Sequence, residues 1–180
     1  MDDDQIIDAI LQGNRSAFDQ LVKKYQKEIY WFIARRISID ADIQDIHQDV
    51  FIKVFSNLAK FKRQSSFRTW LYTVTMNTIK NHYRTKDNSR QDKMVAIEDQ
   101  EIASEQNQET EIVSHRDIED VQKIAKSLPE KQRDTFFLRI YQNLSFEEIA
   151  SVMDCALSTA KANYSHALKN INKQLTDGPP

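Results

Sequence analysis

Apolar residues recur along most of this chain at spacings of three and four, the period of helices that bury one side. The first such run, from about Asp4 to Leu11, stops before Gly13, a residue suited to a helix C-terminus. From about Ser16, the positions Phe18, Leu21, Val22, Tyr25, Ile29, Phe32 and Ile33 mark a second helix and its core side. A third covers about Asp40 to Leu58, with Ile43, Ile46, Val50, Phe51, Val54 and Phe55 expected to face inward. After the polar, basic joint KFKRQSS (60–66) comes FRTWLYTVTMNTIKNHYR (67–84). At about 100° per residue, Phe67, Leu71, Val74, Met76, Ile79 and Tyr83 share one broad side with Thr75 and Thr78. The opposite side holds Thr69, Thr73, Asn77, Lys80, Asn81 and Arg84, with Trp70 at the margin and no carboxylate.

Beyond Thr85 the pattern fails: residues 87–113 are polar, acidic and poor in aromatics, the composition of a flexible linker. Helical spacing returns with Ile118, Val121, Ile124, Ala125 and Leu128, ahead of Pro129, which suits a helix start. PEKQRDTFFLRIY follows, and then LSFEEIASVMD, where Ser145 and Glu148 have the spacing of a capping box. DCAL (154–157) breaks the run before STAKANYSHALKNINKQL. Helices at 146–153 and 158–174 joined by about four residues have the spacing of a helix-turn-helix. The expected fold is all-α: two small helical domains, 1–86 and 114–180, joined by a flexible acidic linker, 87–113.

Composition agrees with that reading. Two glycines and three prolines leave few residues for tight hairpins. No run approaches the roughly 20 apolar residues of a membrane span, and the start MDDDQ lacks the basic region of a secretory leader. No membrane insertion and a cytoplasmic location are expected. One cysteine, Cys155, and four scattered histidines offer neither an internal disulfide nor zinc-ligand spacing, so no metal and no cofactor is expected. There is no Gly-rich phosphate loop, no H-E-x-x-H and no supported Ser, His and acid arrangement, which argues against an enzyme.

The net charge of −2 conceals a strong asymmetry. Residues 1–86 carry 14 basic and 10 acidic groups, 87–120 carry 3 and 11, and 121–180 carry 8 and 6. Within 60–90 eight cations face Asp87 alone, so the local field is positive. The acid-free side of 67–84 continues the cations of the joint, Lys60, Lys62 and Arg63. In the last helix Ala160, Tyr164, Leu168, Ile171 and Leu175 can pack inward. That leaves Ser158, Thr159, Lys161, Ala162, Asn163, Ser165, His166 and Lys169 outward, with no acid between Cys155 and Thr176. Periodicity alone fits a ligand-free helical hairpin as well as a DNA reader; the missing carboxylates favour DNA. Two separate acid-free surfaces point to one polyanion held at two places, and the amides and hydroxyls of 67–84 suit the exposed edges of a single strand.

Three segments carry a resemblance. DIHQDVFIKVF (45–55), FRTWLYTVTMN (67–77) and the stretch from Leu128-Pro129 through SHAL (165–168) resemble, in order, segments of the bacterial sigma factors of the extracytoplasmic-function group. The resemblance implies a non-enzymatic initiation factor with two helical domains, regions 2 and 4, that binds core RNA polymerase and directs promoter recognition and opening. By position it implies that Asp45, Gln48 and Asp49 bind polymerase. Lys62, Arg63, Gln64 and Ser65 would form the loop that captures a flipped base of the minus ten element, and Asn77, Lys80, Asn81 and Arg84 would line the path of the non-template strand. The recognition helix, with Ser158, Thr159, Lys161, Asn163, Ser165 and His166, would enter the major groove at the minus thirty-five element. Phe67 and Trp70 are expected in the core. Core polymerase, promoter DNA and an anti-sigma protein are the implied partners of a chain that is monomeric when free.

Asn163 and His166 stand where family members often carry Arg, Asn81 where many carry Asp, and Asp154 and Ser158 where glycines are common. Fewer guanidiniums imply weaker phosphate attraction and an unusual minus thirty-five sequence, or less reliance on that element. A free-standing dimeric helix-turn-helix regulator is the nearest alternative, but no heptad seam or spare apolar helix is present to make the dimer. A sigma-like adaptor that binds polymerase without opening DNA is another.

Overall fold

The structure, a computed structural model, describes residues 2–37, 39–88 and 117–177. The chain divides into two compact units, Met1–Lys93 and Met94–Pro180, and among the described residues every regular element is a helix. Apart from its first two residues, the expected linker lies outside the described residues.

In the first unit α1 (Asp3–Leu11) starts one residue earlier than its apolar pattern. Asp2 accepts from the Gln5 N–H at 2.8 Å, and the Gln5 side chain accepts from the Asp2 N–H at 3.2 Å, a reciprocal cap that satisfies two orphan donors. Gly13, at φ +101°, turns the chain into α2 (Ser16–Ala34) through a conformation that a side chain would strain. α3 spans Asp40–Asn57, a 3₁₀ turn follows at Leu58–Lys60, and α4 (Phe67–Asn88) runs two residues past the expected domain boundary. Helix α2 packs against α1, α3 and α4, and α3 lies on α4. Leu21, Ile29, Phe32, Ile46, Leu71 and Met76 are sealed at this junction. Each such side chain contributes about 1.5–3 kcal/mol as an upper estimate.

Three expected positions differ. Phe55 is 45% exposed because α3 buries the series 43, 46, 50 and 54, and one more residue rotates the ring to the rim; it meets Phe18 edge-on at 4.9 Å. Tyr83 is 44% exposed because Asp42, near the start of α3, already stands beside His82, and α4 continues beyond that support. Thr69, expected on the polar side, is buried at the first turn of α4 beside Ser66.

The second unit contains α5 (Asp117–Ser127), α6 (Glu130–Ile140), α7 (Phe146–Met153) and α8 (Leu157–Asp177). Pro129 sits at the N-cap of α6. The Ser145–Glu148 capping box forms, with bonds of 2.9 and 3.1 Å. α8 packs on all three other helices, and Tyr164 ties it down by stacking near Phe136 (6.5 Å) and meeting Phe146 edge-on (5.4 Å). Ala160, Ala167, Leu168 and Ile171 are buried, whereas Leu175, expected inward, is 41% exposed in turns that run past the core.

Candidate nucleic-acid interface

The loop of residues 61–66 is held at both ends by aromatic contact. Phe61 lies 5.2 Å from Trp70 and 6.0 Å from Phe67, and Phe67 lies 5.6 Å from Tyr25 of α2. Phe67 is buried, as expected; Trp70 is half-buried, closing the stack rather than filling the core. Ser66 ends the loop by accepting the Thr69 N–H at 3.1 Å, which caps α4. Between these anchors Lys62, Arg63 and Gln64 are exposed and Ser65 is half-buried. Arg63 adopts φ +54° and its guanidinium reaches back to α1, paired with Asp8 and 3.8 Å from Asp4.

On α4, Asn77, Lys80, Asn81 and Arg84 form an exposed stripe at spacings of three and four. The threonine hydroxyls are already engaged. Thr73, Thr75, Thr78 and Thr85 each donate to the carbonyl four residues back, at 2.8 to 3.1 Å. Those donors are thereby withdrawn from a ligand, and the amides and cations carry the polar chemistry of the stripe.

A polar network under this surface was not legible in the helical pattern. Glu28 of α2 accepts from Arg68 Nε at 2.9 Å and from the buried Tyr72 hydroxyl at 2.6 Å, while Tyr25 donates to Asp3 at 2.5 Å. Burial, then the bond to Glu28, pushes the Tyr72 phenol far above its ordinary range; burial, then Asp3, does the same to Tyr25. Periodicity identifies faces, and nothing in it pairs Glu28 with partners 40 and 44 positions away.

α3 presents a different surface. Asp45, Gln48 and Asp49 are all exposed on the side opposite buried Ile46 and Val50, and Ile52, 54% exposed, extends that side by one turn. The predicted polymerase-binding residues therefore share one accessible face.

In the second unit Asp154 makes the turn between α7 and α8 in the left-handed region, φ +52°, a conformation that glycine adopts without strain. Cys155 is half-buried there, its N–H donating to the Ala150 carbonyl at 3.0 Å. Ser158, Thr159 and Lys161 are exposed; Asn163, Ser165 and His166 are half-buried, and Asn163 Nδ2 is buried without a hydrogen bond. The structure thus separates the predicted reading residues into an exposed N-terminal group and a partly covered one. It also adds an acid that the helix sequence lacks. Glu147 of α7 is held below the usual carboxylate range chiefly by its own backbone N–H, then by Ser145, with Lys161 and Arg139 contributing.

The chain matches the models for Sigma-70 region 2 over residues 21–89 and Sigma-70 region 4 over residues 118–171. Relatives include the RNA polymerase sigma-H factor of Pseudomonas aeruginosa, 34% identical, with 96% of this chain and 93% of that protein covered. The ECF RNA polymerase sigma-E factor of Escherichia coli strain K12 is 31% identical, with 96% and 94% covered. Among solved structures, the sigma factor RpoE of Bartonella quintana, crystallised with the anti-sigma factor NepR, superimposes with a TM-score of 0.69 at 24% identity, covering 88% of this chain and 96% of that one. CnrH, solved with the cytosolic domain of CnrY, gives a TM-score of 0.70 at 18% identity with 96% of both chains covered. The similarity to initiation factors spans nearly the whole chain and does not favour a free-standing regulator or a non-opening adaptor. The chain belongs to the sigma-70 family of RNA polymerase sigma factors, in the ECF group, and is a non-enzymatic transcription initiation factor.

Proposed function

We propose that the α3 face of Asp45, Gln48 and Asp49 docks on core RNA polymerase while the loop and α4 stripe of the same unit engage the non-template strand of the minus ten element. Lys62, Gln64 and Ser65 receive an unstacked base, and Asn77, Lys80, Asn81 and Arg84 track the strand beyond it. Arg63, engaged by Asp8, is not counted among these contacts. The observation that carries this reading is the arrangement of α4: its exposed stripe is amide and cation, while its hydroxyls are committed to its own backbone. Such groups contact phosphates and the edges of unpaired bases. A few kcal/mol of unstacking is then offset by these contacts and by polymerase.

In the second unit Ser158, Thr159 and Lys161 lead α8 into the major groove at the minus thirty-five element. Asn163, Ser165 and His166 follow along the helix and, being less accessible, weigh less in the contact. Without arginine at 163 and 166, selectivity there shifts from the family's usual preference. The factor acts in the cytoplasm as a monomer until polymerase binds it, and an anti-sigma protein of the kind seen with structural relatives restrains it. The test adds the purified chain to core polymerase and maps the 5′ ends of transcripts from genomic DNA. New starts that share upstream sequence are expected; silence on every template would overturn the proposal.

A further inference from the structure

We infer that Arg63 is a positioning residue rather than a DNA contact: clasped by Asp8 and Asp4 of α1, it sets the shape of the loop that presents Lys62, Gln64 and Ser65. The inference rests on the reading of that loop as the receiver of an unstacked base. Three observations carry it. First, Arg63 is non-glycine in the left-handed region, φ +54°, a conformation that persists only where surroundings over-determine it. Second, its guanidinium is turned back onto a helix 55 positions away in sequence, paired with Asp8 and 3.8 Å from Asp4. Third, the support is rigid: Ile6, Ile7 and Ile10 are buried, and α1 packs on the 3₁₀ turn that opens the loop. The aromatic contacts of Phe61 and Phe67 fix the two ends of the loop, and Ser65 bonds to its neighbour Ser66. Among the described residues 62–65, Arg63 is the one that ties the middle of the loop to another element.

A guanidinium between two carboxylates is a poor phosphate ligand, since an incoming phosphate would have to displace Asp8 and meet the repulsion of both acids. The same pairing serves well as a strut. Holding residue 63 in place orients its neighbours on either side, and Asp4 and Asp8 of α1, otherwise adverse beside DNA, become part of the loop's framework.

The experiment uses the full chain bound to core polymerase. Its probe is a fluorescent single strand carrying the upstream sequence shared by the mapped starts. Wild-type holoenzyme is measured first; failure to produce starts or to bind counts against the function, not against the strut. Arg63→Glu should then weaken binding strongly, and the swap Asp8→Arg with Arg63→Glu should restore it to within about threefold, since an exposed pair is worth only a small factor. Asp8→Asn should weaken binding roughly two- to fivefold on the same scale. Arg63→Gln should leave the slope of log affinity against log salt unchanged. A swap no better than Arg63→Glu, tighter binding by Asp8→Asn, or a slope reduced by about 0.7 would each show Arg63 touching phosphate and overturn the inference. Each variant's urea midpoint is recorded beforehand. For any variant that fails to fold, the salt slope of Arg63→Gln decides.

Discussion

Replacing Glu28 with Ala should unfasten α4 from α2 and leave the second unit untouched. Glu28 accepts from Arg68 Nε at 2.9 Å and from the Tyr72 hydroxyl at 2.6 Å, and Tyr72 is fully buried. Losing a carboxylate acceptor from a buried hydroxyl costs about 1–3 kcal/mol. The Arg68 side chain is 32% exposed, so water recovers part of its loss, and about 1 kcal/mol more is a fair share. The sum is roughly 2–4 kcal/mol, which is large against the 5–15 kcal/mol typical of a domain. Glu28→Gln keeps an acceptor but not the charge and should cost about half as much. Both tryptophans, Trp31 and Trp70, lie in the first unit, so urea unfolding followed by tryptophan fluorescence reports that unit alone. The Glu28→Ala midpoint should fall with the slope unchanged. A loss under about 0.5 kcal/mol, within the range of ordinary surface substitutions, would mean that the network is not what fastens α4.

The same network predicts an alkaline limit. The Tyr25 and Tyr72 phenols are raised by burial and by Asp3 and Glu28, so their contribution is complete below the unfolded value, near 10, and is lost as pH rises toward the folded values. The tryptophan-monitored stability should hold to about pH 10 and then drop by up to about 1.4 kcal/mol per pH unit per phenol, and Tyr72→Phe should lessen the drop; an equal drop in that variant counts against the assignment. Asp154→Gly should stabilise the second unit by about 0.5–1 kcal/mol, because glycine occupies the left-handed region without strain; circular dichroism of the urea transition would show it, and a lower midpoint would contradict it. Glu147→Gln should strengthen holoenzyme binding to minus thirty-five duplex at low salt by removing an acid near Lys161, with the gain shrinking as salt rises; a salt-independent effect would mean altered folding instead.

The helices were legible because their signals are local. Capping at Ser145 and Glu148, the stop at Gly13, the start at Pro129 and the buried series of α3 all depend on residues a few positions apart. The positions that differed depend on where a neighbouring element ends. Tyr83 has the right phase for the core, but α4 outruns α3; Leu175 has the right phase, but α8 outruns its unit. Thr69 has the phase of the polar side but is buried in the first turn of α4, where its hydroxyl and N–H both meet the capping Ser66 hydroxyl. Glu28 with Tyr72 was not legible at all, because a polar residue on a core margin signals nothing until its partner is known.

Charge shows the same division with more consequence for function. Counting acids along 60–90 or along the last helix describes a line, whereas DNA meets a surface. In space, α1 supplies Asp8 to Arg63, α2 supplies Glu28 to Arg68, and α7 brings Glu147 toward Lys161. Each of these cations stands out in the sequence, and each is partly neutralised by an acid from another helix. Lys62, Lys80 and Arg84 are exposed and enter no ion pair among the described residues, two of them along the α4 stripe among amides. Electrostatic attraction to a strand scales with the phosphates actually neutralised, so these three should set the salt dependence of minus ten binding. On the proposed reading the two paired arginines, Arg63 and Arg68, act instead by holding the surface in shape, each tied to an acid of another helix.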